Sequence, residues 1–140
     1  MMYRQRIPAL LVLLTCIAVA ACNRTLKPPA TKPVQGTVLV KGQPLSGVRV
    51  VFHPQFDLKF YRPSGITNAE GKFVIETAKT GDGAPRGEYI VTFELPFASS
   101  DDHGRDIEAD AWKGKYANPD TSTFRVNIND AVELEPFRLE

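Results

Sequence analysis

The sequence predicts an all-β protein: a seven-stranded antiparallel β-sandwich that follows an N-terminal signal segment. Three observations predict it. From Val34 onward apolar residues recur with period two over short runs rich in Val, Ile and aromatics, the pattern of strands buried on one face. The gaps between those runs carry glycine, proline, asparagine and aspartate in turn-forming combinations. No segment beyond the leader sustains the spacing of a long helix. The chain has 140 residues and a formal charge of +1, which fits one small domain and excludes a strongly basic nucleic-acid protein.

The first element is a leader. Residues 1–21 hold 16 apolar residues, although the whole chain is 43% hydrophobic. Arg4 and Arg6 form a positive start, and Ile7–Ala21 is nearly all apolar, broken by Pro8, Thr15 and Cys16. Such a run is short for a bilayer span and suits a secretory signal. It ends Val19-Ala20-Ala21-Cys22, small residues before a cysteine. This resembles the lipobox of bacterial lipoproteins, which implies cleavage after residue 21 and a diacylglycerol thioether on Cys22, with palmitate-type acyl chains. An ordinary small-residue cleavage site with an incidental cysteine is the alternative. With Cys16 discarded and Cys22 lipidated, the mature chain keeps no free thiol and no disulfide. The expected partner is a membrane, reached through the lipid, and the expected location is the cell envelope, facing the periplasm. Asn23 is not the aspartate of inner-membrane retention, which favours the outer membrane weakly.

The second element, residues 22–33, is the lipidated cysteine and a Pro/Lys-rich tether. Asn23–Pro33 contains three prolines and three positive charges. In polyproline-II geometry, at about 3.1 Å per residue, it reaches roughly 34 Å. The remaining domain, residues 34–140, carries 12 basic and 16 acidic groups, a net charge of −4.

Within that domain the strands follow in order. Val34-x-Gly36-x-Val38-x-Val40 alternates, and Lys41-Gly42-Gln43-Pro44 turns it. Val48-x-Val50-x-Phe52 comes next. A short Gly65–Thr67 strand and Gly71–Thr77 flank the turn Asn68-Ala69-Glu70-Gly71. Gly81-Asp82-Gly83-Ala84-Pro85-Arg86-Gly87 leads into Tyr89-x-Val91-x-Phe93, and Phe124-x-Val126-x-Ile128 is the sixth run. The last, Val132–Leu139, changes parity at Pro136, which marks a bulge or an edge. Asp106–Tyr116 is expected to make one or two helical turns with Ile107, Ala111 and Trp112 inward. The expected core aromatics are Phe52, Phe73, Tyr89, Phe93, Trp112 and Phe124.

Two stretches resemble carboxypeptidase regulatory-like domains, which are transthyretin-like (prealbumin-like) sandwiches with an Ig-like layout. One is Val38–Lys41 followed by Gly42-Gln43-Pro44-Leu45-x-Gly47-Val48-x-Val50-x-Phe52. The other is Gly65-x-Thr67-Asn68-x-x-Gly71-x-Phe73 followed by Gly87-Glu88-Tyr89-x-Val91. Lys115-Tyr116-Ala117-Asn118-Pro119-x-Thr121-Ser122 is similar to the lipoprotein members. The resemblance covers about residues 34–139 and rests on turns and core positions, so it implies a fold and a non-catalytic envelope module.

The candidate chemistry is sparse. There are two histidines: His53, expected to be exposed or at an edge, and His103, in an acidic loop. No Gly-x-Ser-x-Gly elbow occurs, and no catalytic residues are assigned. The chain ends Phe137-Arg138-Leu139-Glu140, unlike the tail of transthyretin-fold hydrolases, and it lacks the close histidine pair of intradiol dioxygenases. Asp101, Asp102, Asp106, Glu108 and Asp110 cluster within ten residues. Their spacing is not that of an EF-hand, so a solvated loop is expected and a weak calcium-binding domain is the third functional reading. A Lys41–Asn127 or Lys41–Asn129 crosslink assisted by Glu88, as in adhesin sandwiches, is only loosely matched. Phe56, Phe60, Tyr61 and Arg62 lie in one long loop and Phe97 in another. Exposed aromatics there would contact glycans or envelope proteins. No cofactor and no nucleic-acid partner is expected. The leading expectation is a lipid-anchored structural or protein-interaction module; the alternative is a carbohydrate- or peptide-binding accessory domain.

Overall fold

The computed structural model describes residues 27–140, so the leader, Cys22 and the first tether residues lie outside the described part. The described residues form an all-β fold of eleven strand segments: β1 (Val34–Val40), β2 (Gln43–Pro44), β3 (Arg49–Pro54), β4 (Ser64–Ile66), β5 (Lys72–Val74), β6 (Gly87–Glu94), β7 (Pro96–Ser100), β8 (Asp106–Asp110), β9 (Arg125–Ile128), β10 (Val132–Glu133) and β11 (Phe137–Leu139). None of the described residues forms a helix long and apolar enough to cross a membrane.

β1 organises the first sheet. Its Val34, Gly36 and Val38 are buried, as the alternation requires. On one side β1 pairs antiparallel with β5 (Gly36 opposite Phe73) and with β2 (Val40 opposite Gln43). Lys41 (φ 50°) and Gly42 (φ 79°) make the two-residue turn between β1 and β2, the left-handed pair that suits the twist of a hairpin. On the other side β1 pairs with β10 and β11, and both pairings are parallel. The expectation of a purely antiparallel fold with seven strands is therefore corrected. The last run breaks into two segments around Pro136, which cannot donate to a ladder. Both segments return alongside the first strand in the same direction, a long-range pairing for which the intervening domain serves as the crossover.

The second sheet is antiparallel, in the order β4-β3-β6-β9. β3 and β6 form its long central pair, with Val50 opposite Phe93 and Phe52 opposite Val91. β7 and β8 make a separate two-stranded ribbon.

The two larger sheets share one core. Val34, Val38, Phe73, Phe137 and Leu139 from the first meet Val50, Phe52, Tyr89, Val91, Phe93 and Ile128 from the second in one buried cluster. Phe93 stands edge-on to Phe137 across the sheets, their ring centres 5.1 Å apart. Four of the six expected core aromatics are fully buried, while Trp112 and Phe124 are partly buried against the same cluster.

Thr67 shows why a polar residue sits in the Gly65-x-Thr67-Asn68 stretch. Its buried hydroxyl accepts the Val48 N–H at 2.9 Å and donates to the Leu45 carbonyl at 2.6 Å. Asn68 then turns the chain, its side-chain carbonyl accepting the Glu70 and Lys72 N–H groups. The Tyr89 hydroxyl donates to the Pro85 carbonyl at 2.8 Å, and burial pushes its pKa up to about 12.

Three further expectations are corrected. Asp106–Asp110 is a strand, not a helical turn, because it pairs residue for residue with Pro96–Ser100. Ile107 on it is 43% exposed, Ala111 is exposed, and only Trp112 of the three is partly buried, edge-on to Tyr116. Phe97 lies on β7 rather than in a loop. His53 lies within the central strand β3, half-buried, its Nε2 2.7 Å from the Thr92 hydroxyl. Burial, followed by the charge of Arg62, lowers its pKa.

Candidate functional site

The loop after β3 carries Phe56, Phe60, Tyr61 and Arg62, the residues expected to contact a ligand. Phe56 is 36% exposed, with its ring edge-on to Tyr89 at 5.3 Å and against Gly87. Phe60, by contrast, is 82% exposed and takes a left-handed backbone conformation (φ 66°). Tyr61 is half-buried and Arg62 exposed. The four residues thus differ in exposure, from half-buried Tyr61 to largely exposed Phe60.

The acidic segment is dispersed. Asp101 is held by its own loop, accepting the His103 and Arg105 N–H groups and pairing with the Arg105 guanidinium. These bonds, the Arg105 backbone first, hold its carboxyl below the usual range. Glu108 reaches across to Arg49 on β3 through two hydrogen bonds of 2.7 and 3.0 Å, and this pairing lowers its pKa. Asp110 closes the loop that follows β8. Burial raises its pKa, but donation from the Leu95, Gly114 and Trp112 N–H groups outweighs it and leaves the carboxyl below its ordinary value. Asp102 and Asp106 are exposed. Among the described residues no three His, Cys, Asp or Glu side chains converge as a metal site would require. Lys41 and Glu88 are both exposed, whereas a buried carboxylate is needed for the crosslink considered above.

A different site emerges where β9 and β11 form the facing edges of the two sheets. Two clefts of about 470 and 310 Å³ adjoin there, sharing Phe124 and Arg138. The larger is lined by the apolar side chains of Phe124, Val126, Leu134, Pro136 and Phe137, with Arg125, Asn127, Glu135 and Arg138 beside them. The smaller is lined mostly by Lys115, Tyr116, Asn118 and the hydroxyls of Thr121, Ser122 and Thr123. Elsewhere the two sheets are joined where β4 meets the chain just beyond β5, with Ser64 and Glu76 exchanging backbone bonds of 3.0 and 2.8 Å.

The Lys115–Ser122 stretch builds the far wall of this groove. The Tyr116 carbonyl accepts the Phe93 N–H at 3.0 Å, Asn118 caps the turn at Asp120, and the Ser122 hydroxyl donates to the Val91 carbonyl at 2.5 Å. Lys115 and Tyr116 both donate to the Glu140 main-chain oxygen. The motif thus ties the β6 edge to the end of β11. Sequence reasoning missed the groove because its two sides lie on different sheets. The alternation of Phe124, Val126 and Ile128 was readable; the parallel return of Phe137–Leu139 along β1 was not.

The groove offers apolar area, hydroxyls, amides and cationic groups, which suit recognition. No protein-family model matches the chain, and no curated protein matches it. Among solved structures, a 9R-lipoxygenase from Cyanothece PCC8801 is similar over 79% of this chain, with a TM-score of 0.43 and 13% identity. The match spans 16% of that chain, and at this level it carries no argument.

Proposed function

We propose that this protein is a lipid-anchored, non-catalytic interaction module of the cell envelope, with Cys22 as anchor, Asn23–Pro33 as spacer and a transthyretin-like sandwich as the working domain. One observation carries the reading: a basic start, an apolar run and Val19-Ala20-Ala21-Cys22 meet at a single place in the sequence. The start of the domain is consistent with a spacer that ends there. Lys32 exchanges backbone bonds of 2.8 and 3.0 Å with Ala84, so the chain is tied to the fold from that residue onward. Two or more acyl chains, at about 0.8 kcal/mol per buried methylene, hold a protein stably on a membrane.

The substitution Cys22→Ala tests the anchor. The variant is expected to leave the membrane pellet after cell lysis while the wild-type chain stays in it. A variant that still sediments with membranes would remove the anchor from the account. The reading of a binding accessory domain is favoured over a purely structural one by the β9–β11 groove, since neighbouring side chains do not fill that edge.

A further inference from the structure

The backbone at the groove is unsatisfied on both sides. The Val91 N–H donates to the Phe124 carbonyl at 2.9 Å, and β9 continues this ladder along β6. In an antiparallel pair alternate residues face the partner. Phe124, Val126 and Ile128 therefore turn their N–H and C=O groups to β6, and Arg125 and Asn127 turn theirs to the open edge. On β11, the Leu139 carbonyl accepts the Lys41 N–H at 2.8 Å, which directs Phe137 and Leu139 to β1 and leaves the Arg138 amide and carbonyl facing outward. Exposed ladders of this kind are templates for another strand. The alternating donors and acceptors of β9 are complemented by a polypeptide backbone.

Charge specifies the chain that fits. Arg125 and Arg138 both line the groove, and neither makes an ion pair among the described residues. Glu135 is the one acidic residue of the larger cleft, so its lining remains net positive in a domain that is net negative. Residues directly opposite each other in a strand pair share a face. A peptide residue opposite Arg125 would lie beside its guanidinium, and one opposite Val126 would point between the sheets toward Phe124 and Phe137.

We infer that β9 accepts an extended peptide of a partner protein as an added strand, one whose residues alternate between acidic and apolar. This rests on the reading of the chain as an interaction module and names the partner chemistry of its groove.

The test uses the full chain in mild detergent and a fluorescein-labelled octapeptide of alternating valine and glutamate, read by anisotropy. Saturable binding is expected. Arg125→Glu is expected to weaken it about tenfold or more, and so is Asn127→Pro, which removes an outward N–H but leaves the β6 ladder intact. A valine–lysine peptide, and a valine–glutamate peptide N-methylated at alternate residues, are expected to bind at least about tenfold more weakly. The inference is overturned by no binding up to about 1 mM, or by equal binding of all peptides. It is also overturned if Arg125→Glu binds as the wild type does, or if Asn127→Cys crosslinks two copies through this edge, since a second copy would then be the occupant. Membrane fractionation of the cells from which the chain is purified separates the outcomes: a chain that sediments with membranes but ignores the peptide loses only this inference.

Discussion

Phe93→Ala is expected to destabilise the domain by about 3–5 kcal/mol, the cost of removing a large aromatic from a core that cannot collapse around the void. Phe93 has no exposed surface. Its ring meets Phe124 and Phe137 edge-on, each at 5.1 Å, so it touches both the β9 edge and the first sheet. Edge-to-face pairs add about 0.5–1.5 kcal/mol beyond area burial, and this substitution removes two of them. With no disulfide among the described residues, nothing covalent compensates. Denaturant unfolding of the full chain in detergent measures the effect. Phe97→Ala is the control, because Phe97 is 49% exposed on the ribbon and is expected to change stability by no more than about 0.5 kcal/mol. Equal losses at the two positions would contradict the core assigned here.

The second large effect is expected at Gly83. Its backbone is left-handed (φ 86°), and a Cβ there would overlap the Lys32 carbonyl. Both demands fall in one short segment, since Gly83 also donates to the Ile75 carbonyl at 2.9 Å and accepts the Thr77 hydroxyl at 2.6 Å. Gly83→Ala should cost about 1–3 kcal/mol for the backbone conformation. It should also break the paired bonds between Lys32 and Ala84, at about 1 kcal/mol each. Gly81→Ala separates the two causes: Gly81 is also left-handed (φ 68°), but nothing lies within 4 Å of its Cβ position. The expected result is a markedly lower unfolding midpoint for Gly83→Ala than for Gly81→Ala, with faster proteolysis at Lys32. Equal midpoints would show that close approach to the tether adds nothing.

The sequence carried the strands and turns because both are local. Period-two alternation in Val34–Val40 and Tyr89–Phe93 needs only that one face be buried, and Asn68 turns the chain with bonds to residues two and four positions on. It failed where partners are distant. Asp106–Asp110 reads DIEAD, with apolar residues alternating as in a strand and also spaced loosely enough for a helical turn; pairing with Pro96–Ser100 decided the matter. Phe56 and Phe60 belong to the same loop, yet one packs on Tyr89 and the other projects into solvent, a distinction set by where β6 passes. The β9–β11 groove was hidden for the same reason. Its arginines are 13 positions apart, and only the parallel return of β11 along β1 brings Arg138 to the cleft that Arg125 lines.

The most direct measurement is the intact mass of the mature chain recovered from membranes. The account predicts a polypeptide beginning at Cys22, heavier than residues 22–140 by a diacylglycerol group and bound acyl chains. A chain that retains residues 1–21, or one that begins at Cys22 with no added mass, would contradict the lipid anchor on which the proposed function stands.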